Sequence, residues 1–298
     1  MKRIAVTGAT GFVGGPLIED LARRGWAVRA GSRRDTGRAG DTFVHGDLAG
    51  DVDWARFVDS CDAVVHLAGL AHTSGIAEHR YDRINHLQSA RLAAAAKHAG
   101  VSRFVFVSSV KAQHGASASR ILGEADEPAP DDAYGRSKLA AERAIVATGV
   151  SYAIVRPVVI YGPGVKGNLA TLRRLAALPI PLPLGAMRSR RSLCALAGLI
   201  DAIDLVATAD AAVGKVFLVA DREPIDLRTL VATMRRIAGR QPWLLPVPPA
   251  VLRAGLRAIG RQAVWERLGG DLVVSIDRLA SLGWRPRDTV TELSRSFS

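Results

Sequence analysis

Cysteine is nearly absent from this chain of 298 residues, which contains only two. Cys61 and Cys194 lie far apart in apolar surroundings, which argues against a disulfide framework and against a cysteine metal site. A reducing cytoplasm is therefore the expected location. Long apolar runs are missing as well, because glycines interrupt the first one after a few residues. The sequence thus predicts no signal peptide, no membrane span and no membrane partner.

Lysine is also scarce, although the formal net charge is +12: only six of the 40 basic residues are lysine, and the others are arginine. The arginines are spread along the chain and do not form one cluster. We interpret them as background composition with a secondary benefit for binding phosphate groups. No nucleic-acid partner is expected.

The patterns that are present indicate alternating strands and helices. Apolar runs of strand length occur at 3–7, 27–31, 62–68, 103–109 and 152–156, and helical spacing occurs at 12–24, 79–99 and 134–147. This alternation predicts an α/β, Rossmann-like fold with a doubly wound parallel sheet, in a dinucleotide-binding domain over 1–160. Prolines after that point mark a smaller C-terminal α/β substrate-binding region over 161–298, which we expect to pass back to the main sheet around 213–220.

Three glycines, Gly8, Gly11 and Gly14, stand where the first predicted strand passes into the first predicted helix. Such glycines allow a tight turn, a close approach of backbone N–H groups to a pyrophosphate, and close packing of the helix on the strand. The expected cofactor contacts in this loop are Gly8, Thr10, Gly11, Phe12, Val13 and Gly14. The three-residue spacing resembles that of the extended short-chain dehydrogenases/reductases, the NAD-dependent epimerase/dehydratase family.

The end of the second predicted strand bears on the choice of cofactor. In dinucleotide folds an acidic residue there binds the ribose of NAD, whereas arginine accommodates the 2′-phosphate of NADP. Ser32 occupies the acidic position and Arg33 and Arg34 follow it. This favours NADP(H), and the nearby Asp35 keeps NAD(H) open.

Tyr134 and Lys138 lie four residues apart, on one face of a predicted helix. We expect the lysine to lower the pKa of the tyrosine hydroxyl, because a nearby cation favours the phenolate, and so to create a general acid/base. A buried strand about 25 residues upstream ends in Ser108 and Ser109. The family resemblance implies that Ser109, Tyr134 and Lys138 are catalytic, that Tyr134 and Lys138 also contact the cofactor, and that Ser108 is the alternative register.

The resemblance implies further contacts with the cofactor and with the substrate. Those with the cofactor are Asp47, Leu48, Leu67, Ala68, Gly69, Arg156 and Pro157. Those with a UDP-sugar substrate are Asn168, Leu169, Arg190 and Arg191, where a guanidinium can bind phosphate oxygens bidentately. Family members often dimerise through helices that correspond to 79–99 and 134–147, so a homodimer is expected, and no metal is.

The branch of the family is judged from what the chain lacks. A 4,6-dehydratase needs an Asp-Glu pair after the catalytic hydroxyl, and Ser109 is followed by Val110-Lys111. The missing acidic ribose contact favours NADPH-dependent reduction. The segments Tyr161-Gly162-Pro163-Gly164 and Leu182-Pro183-Leu184-Gly185 resemble those of ketoreductases, which implies reduction of a UDP-4-keto-6-deoxy-N-acetylhexosamine for surface polysaccharide synthesis. A UDP-hexose or UDP-hexosamine 4-epimerase that retains NAD is the alternative, and a non-catalytic dinucleotide sensor is a third.

Two positions depart from the family pattern. Val159 replaces the Asn that many epimerases carry after the Arg-Pro turn, which removes a polar contact with the substrate. Gly198 stands where an Asp is usual, and that change is expected to affect packing.

Overall fold

A computed structural model of the chain describes residues 2–35, 37, 40–70 and 75–297. Seven strands form its main sheet: β1 Arg3–Thr7, β2 Ala27–Ser32, β3 Asp41–Val44, β4 Ala63–His66, β5 Arg103–Val107, β6 Tyr152–Pro157 and β10 Lys215–Val219. Their order is β3-β2-β1-β4-β5-β6-β10, and every neighbouring pair is parallel. The order reverses beside β1, so a crevice opens at the carboxyl ends of β1 and β4.

Helices lie on both faces of this sheet and in the C-terminal part of the chain. In chain order they are α1 Gly14–Arg23, α2 Trp54–Val58, α3 Glu78–Tyr81, a π-helical turn Asp82–Leu87, α4 Gln88–His98, α5 Val110–Gln113, α6 Ala133–Ala147, α7 Gly167–Ala176, α8 Leu196–Thr208, a 3-10 turn Asp210–Ala212, α9 Leu227–Ile237, α10 Pro249–Ala258, α11 Gln262–Leu268, α12 Asp277–Ala280 and α13 Thr289–Phe297. Helices α1 and α8 pack on one face of the sheet, whereas α2, α4 and α6 pack on the other.

The alternation of side chains along each strand explains these two layers. Ile4 and Val6 of β1 join the core under α1 and α8, while Ala5 between them joins the core under α2, α4 and α6. Since both faces are buried, the strands read as continuous apolar runs and not as alternating ones. The predicted Rossmann-like α/β fold with its parallel sheet is confirmed.

The chain after β6 builds a separate hydrophobic core, from Tyr161 onward. Two small sheets support it: β7 Val159–Tyr161 pairs with β9 Leu193–Ala195, and β8 Arg190–Arg191 pairs with β11 Ile225–Asp226. The strand expected around 213–220 corresponds to β10, which lies beside β6 at the edge of the main sheet. The boundary placed at residue 160 remains a prediction.

Cys61 and Cys194 are free, buried thiols. In the described ranges, no helix is both long and apolar enough to cross a membrane. Nor does that part of the chain bring three or more histidine, cysteine or acidic side chains together in a way that could hold a metal ion.

Candidate active site

The glycine loop between β1 and α1 forms one wall of the crevice. Gly8 has φ of +72°, and a Cβ there would lie 3.0 Å from the backbone nitrogen of Ala68. A Cβ at Gly14 would overlap the carbonyl oxygen of Gly8. Helix α1 begins at Gly14 without a side-chain cap and without an acidic residue in its first turn. Its first N–H groups are therefore free of such competitors for an anion, which fits the pyrophosphate of a dinucleotide.

A buried hydrogen-bond chain fixes the loop that follows β4 against β1. The Thr7 hydroxyl accepts hydrogen bonds from the N–H groups of Leu67 and Ala68, at 3.1 and 3.0 Å, and lies 2.7 Å from Nδ1 of His66. Ser89 donates its own proton to the carbonyl oxygen of Asn85, so it accepts from Nε2 of His66 at 2.9 Å, and Nδ1 accepts the proton of Thr7. Burial lowers the pKa of His66 to about 3, so this ring stays neutral. The sequence analysis missed this histidine.

The ribose end of the crevice lies at the end of β2. Ser32 is buried, and its hydroxyl donates to the carbonyl oxygen of Arg34 at 2.6 Å. Arg33, Arg34 and Asp35 are exposed, and Asp35 accepts the N–H of Gly37 at 3.0 Å. The end of β2 therefore carries two exposed arginine side chains with one exposed carboxylate close by in the chain.

Ser109 and Tyr134 share a hydrogen bond, although 25 positions separate them in the chain. Ser109 lies two residues beyond the end of β5 and caps α5, accepting the N–H of Lys111 at 3.2 Å. Tyr134 stands in the first turn of α6, where its ring packs edge-on against Tyr81 with centroids 5.9 Å apart. Two of the three residues expected to be catalytic are thus in direct contact.

The expected lowering of the pKa of Tyr134 is wrong for the protein chain by itself. Burial, with Asp132 and Tyr81 nearby, raises this pKa to about 12, and the hydrogen bond from Ser109 offsets only part of the rise. Lys138 is fully enclosed and donates to the carbonyl oxygen of Val107 at 2.8 Å. Its ammonium lies 4.3 Å from the centre of the Phe106 ring, so the lysine is held by the end of β5.

Lys138 itself has a pKa lowered to about 8 by burial, while the carboxylate of Glu142 acts in the opposite direction. Glu142 lies one turn further along α6 and is almost completely buried. It accepts a hydrogen bond from Ser108 and forms an ion pair with Arg156. Glu142 follows Lys138 at the same four-residue spacing that joins Tyr134 to Lys138, so helical periodicity was a signal that pointed to it.

Arg156 is therefore not placed as the resemblance implied. Its guanidinium is buried between Glu142 and the side-chain oxygen of Gln113, and it does not line the crevice. Pro157 is the last residue of β6 and pairs in register with Val219. The hydrogen bond from Ser108 to Glu142 also shows that the two serine side chains point in different directions. Ser108 faces the interior, whereas Ser109 faces Tyr134.

Asn85 is a second residue that the sequence analysis missed. It lies in the π-helical turn and is buried. Its amide accepts the N–H of Leu70 at 2.7 Å, donates to the carbonyl of Leu70 at 3.1 Å, and donates to Ser137 at 3.1 Å. Asn85 thereby ties the loop beyond Gly69 to the helix that carries Tyr134. π-Helical turns occur often at functional sites, but periodicity in a sequence does not reveal them.

Two leucines expected to contact ligands belong to hydrophobic cores. Leu48 packs under α2 and α4, and Leu169 packs in the C-terminal core. Their side chains are buried because both point inward from the segments that carry them. Their polar neighbours differ: Asp47 is exposed and accepts the N–H of Ala49 at 2.9 Å, and Asn168 is exposed at the start of α7.

Arg190 and Arg191 form the short strand β8 and therefore point in opposite directions. Arg191 is partly buried and donates through Nη1 to the carbonyl oxygen of Ala116 at 3.1 Å. Its Nε and Nη2 atoms are buried and have no partner within the described chain, and burial lowers the pKa of this guanidinium. Unpaired buried donors are costly, so Arg191 fits an anionic group. Arg190 is exposed, and its contact with the substrate remains a prediction.

The two departures from the family pattern have different surroundings. Val159 is 45% exposed and presents an apolar side chain at the start of β7. Gly198 is buried, and its carbonyl oxygen accepts the indole N–H of Trp284 at 3.2 Å. A Cβ at Gly198 would lie 3.3 Å from Arg287, so the C-terminal segment fills the space of the missing Asp. The expectation that this change concerns packing agrees with that geometry.

A cavity of about 610 Å³ lies at the other edge of the sheet, beyond the carboxyl end of α1. Its charged groups pair with each other: Arg24 contacts Asp201 and Asp204, and Arg287 contacts Asp201. This cavity is a structural ion-pair cluster between α1, α8 and the C-terminal segment. It contains none of the candidate catalytic residues.

Known proteins are similar to this chain in both sequence and fold. The model of the NAD dependent epimerase/dehydratase family matches residues 4–220. A UDP-glucose 4-epimerase of Vibrio cholerae is 34% identical, over 98% of this chain and 93% of the relative. A dTDP-6-deoxy-L-talose 4-dehydrogenase (NAD(P)(+)) of Kitasatospora kifunensis is 30% identical, over 99% and 94%.

The solved structure of MoeE5 in complex with UDP-glucose and NAD superposes with a TM-score of 0.79 at 25% identity, over 99% of this chain and 97% of the other. The glycine loop, the parallel sheet and the Ser109–Tyr134 contact occur together in one chain whose whole length resembles such proteins. This chain belongs to the NAD dependent epimerase/dehydratase family.

Proposed function

We propose that this protein interconverts the C4 epimers of a UDP-linked hexose or hexosamine, using a nicotinamide dinucleotide held at the carboxyl end of β1. The observation that carries the proposal is the hydrogen bond between Ser109 and Tyr134, at the edge of the crevice that the glycine loop borders. The similarity to the UDP-glucose 4-epimerase of Vibrio cholerae supports the reaction, and the similarity to MoeE5 with its bound UDP-glucose and NAD supports the ligands.

The nicotinamide ring, when bound, supplies the acceptor and donor of hydride. Tyr134 handles the proton on the C4 oxygen, giving it when the oxygen gains negative charge and taking it back in the reverse direction. Ser109 donates a hydrogen bond to the same oxygen and orients it. With a pKa near 12, Tyr134 is protonated at neutral pH, so the proton-accepting direction depends on positive charge nearby. Lys138, one turn further along α6, is the residue proposed to supply it.

Arg191 is the proposed contact for the substrate diphosphate. Its Nη1 is anchored on Ala116, in the segment that follows α5, while Nε and Nη2 have no partner in the described chain. A phosphate oxygen would satisfy both atoms in the forked geometry that guanidinium favours. Asn168 at the start of α7 is the proposed second contact.

A second candidate is the 4-ketoreductase that consumes NADPH. The observation that favours it is the end of β2, where Ser32 is turned into the protein and Arg33 and Arg34 are exposed. Guanidinium groups suit a 2′-phosphate. The similarity to a 4-dehydrogenase named with both NAD and NADP supports this candidate too.

Product analysis separates the candidates. The purified protein is incubated with NAD and UDP-glucose or UDP-N-acetylglucosamine, and separately with NADPH and a UDP-4-keto-6-deoxy sugar. The epimerase forms the C4 epimer without a net change in nicotinamide absorbance, whereas the reductase oxidises one NADPH for each keto sugar. Failure of both reactions in a protein that binds the dinucleotide would leave the non-catalytic sensor.

The role of Tyr134 is tested with a matched pair of variants. We expect Tyr134→Phe to lower kcat by about two to four orders of magnitude, because the proton-transfer group is lost. Tyr152→Phe removes a hydroxyl that, among the described residues, donates to the carbonyl of Gly214, at the far edge of the sheet, and should keep its turnover. Turnover by Tyr134→Phe equal to that of Tyr152→Phe would contradict the catalytic assignment.

A further inference from the structure

We propose that the surface around α10 docks on an anionic phospholipid bilayer. This surface consists of the exposed apolar side chains Ile180, Trp243, Leu245, Val251 and Ile259, with the arginines beside them. Its exposed fractions are high for such residues: 59% for Trp243, 59% for Val251 and 67% for Ile259. A group of exposed apolar side chains on one part of a protein marks an interaction site more often than scattered ones do.

The apolar residues belong to one continuous part of the molecule. The N–H of Leu182 donates to the carbonyl of Trp243 at 3.1 Å, and the N–H of Leu245 donates to the carbonyl of Leu182 at 2.8 Å. These bonds bring the segment after α7, with Ile180, beside the segment before α10. Leu244 and Leu252 both pack against the C-terminal core, and α10 begins four residues after Leu245 in the chain.

Helix α10 presents most of its side chains to solvent. None of its ten residues, all of them described, is fully buried. Leu252 and Leu256 are half-buried on the side facing the protein, so the apolar face of the helix is already occupied. The groups left for a bilayer are the exposed Val251 and Ile259 and the row of Arg253, Arg257 and Arg261, which recurs at four-residue intervals.

The charge of this region is complementary to an acidic surface. The stretch 227–265 contains no acidic residue and seven arginines, of which Arg235 is buried. Arg228 and Arg236 of α9 line a surface cavity of about 270 Å³ together with Pro242 and Leu244, on either side of Trp243 in the chain. Guanidinium groups suit a lipid phosphate, and an exposed indole suits the boundary between headgroups and acyl chains.

Other partners fit the same features less well. A second copy of the chain would place arginines against arginines across a symmetric interface. A single-stranded nucleic acid would need aromatic rings on which bases can stack, and the apolar residues here are aliphatic except for Trp243. This proposal changes the expectation of no membrane partner: the apolar residues lie in separate segments, and only folding brings them to one surface.

Vesicle flotation of the full-length protein tests the proposal. We expect binding to vesicles of phosphatidylcholine mixed with phosphatidylglycerol, weak binding to phosphatidylcholine alone, and weaker binding at high salt. The double variant Arg253→Glu/Arg257→Glu should bind the mixed vesicles at least tenfold more weakly, since each basic residue near the surface contributes to the attraction. Val251→Ser/Ile259→Ser should also lose binding, because apolar insertion is reduced.

The charge-matched control is Lys97→Glu/Arg143→Glu. It makes the same change of charge on α4 and α6 and should bind like the unmodified chain. Three results would overturn the proposal. The first is no binding to mixed vesicles, and the second is equal loss in the control variant. The third is a dimer, measured by light scattering without lipid, that Val251→Ser/Ile259→Ser converts to monomer, because the surface would then join two copies.

Discussion

Two adjacent serines show how much the direction of one side chain decides. Ser108 and Ser109 follow the same strand, and their sequence context is nearly identical. Ser108 turns inward to Glu142, whereas Ser109 turns outward to Tyr134. The family resemblance pointed to Ser109, and the hydrogen bonds give a physical reason for preferring it.

The two serines should respond differently to replacement by alanine. Ser109→Ala should lower kcat by about a hundredfold, because a donor to the reacting oxygen is lost. Ser108→Ala should lower the free energy of unfolding by about 1–3 kcal/mol, because a buried hydrogen bond of Glu142 is lost, and should affect kcat less. Steady-state kinetics and urea denaturation measure the two effects. The reverse assignment would exchange these results.

The sequence supplied the catalytic candidates by two routes. Tyr134 and Lys138 follow from their spacing on one helix, and Ser109 follows from the family resemblance. His66, Asn85 and Glu142 were not predicted, since their partners come from other elements of the fold. The pKa of Tyr134 was predicted in the wrong direction, because spacing places Lys138 nearby but does not show the burial of the phenol.

At the scale of elements, the glycine loop leaves little room for added side-chain atoms. Gly14→Ala should lower the free energy of unfolding by about 1–3 kcal/mol and abolish dinucleotide binding, since the methyl group would overlap the carbonyl oxygen of Gly8. Thermal denaturation and titration with NAD and NADP measure both effects.

The adjacent Gly15 is the matched control for that prediction. A Cβ at Gly15 would have its nearest neighbour, the carbonyl oxygen of Ala9, at 3.9 Å. Gly15→Ala should therefore fold normally and gain up to about 1 kcal/mol from the better helix former. Equal loss of binding in both variants would show that any substitution in this turn is harmful, whatever the space around it.

Elements with a strong apolar pattern were predicted within a few residues, and elements without one were missed. The strands at 3–7 and 152–156 match β1 and β6 closely. β3 was missed because it is an edge strand whose residues are mostly exposed. The short strands from β7 to β9 and β11 have two or three residues each, and only their pairing partners define them.

For the molecule as a whole, Asp221 should make stability depend on pH. It is 4% exposed and accepts hydrogen bonds from Tyr161 at 2.6 Å and from the N–H of Ala195 at 2.9 Å. Burial raises the pKa of Asp221 from 3.8 to about 6. A carboxyl with a raised pKa in the folded state favours folding below its unfolded pKa, and this contribution is lost as the pH rises from about 4 to about 6.

We expect this loss to be roughly 3 kcal/mol at most, given 1.36 kcal/mol per unit of pKa. Asp221→Asn should remove that part of the pH dependence, because its amide stays neutral. Urea denaturation at several pH values between about 4 and 7 compares this variant with Asp51→Asn, which changes an exposed carboxylate. Parallel pH profiles for the unmodified chain and Asp221→Asn would contradict the prediction.

The sequence by itself determined the parallel sheet and the glycine turn, because each depends on periodicity or spacing within one segment, and it named Ser109, Tyr134 and Lys138 as catalytic candidates. Only the tertiary structure decided that Arg156 is buried against Glu142, that Arg191 retains buried donors without a partner in the described chain, and that apolar residues are exposed around α10. These features join segments far apart in the chain, and long-range contacts follow from how the elements pack, which no local pattern encodes.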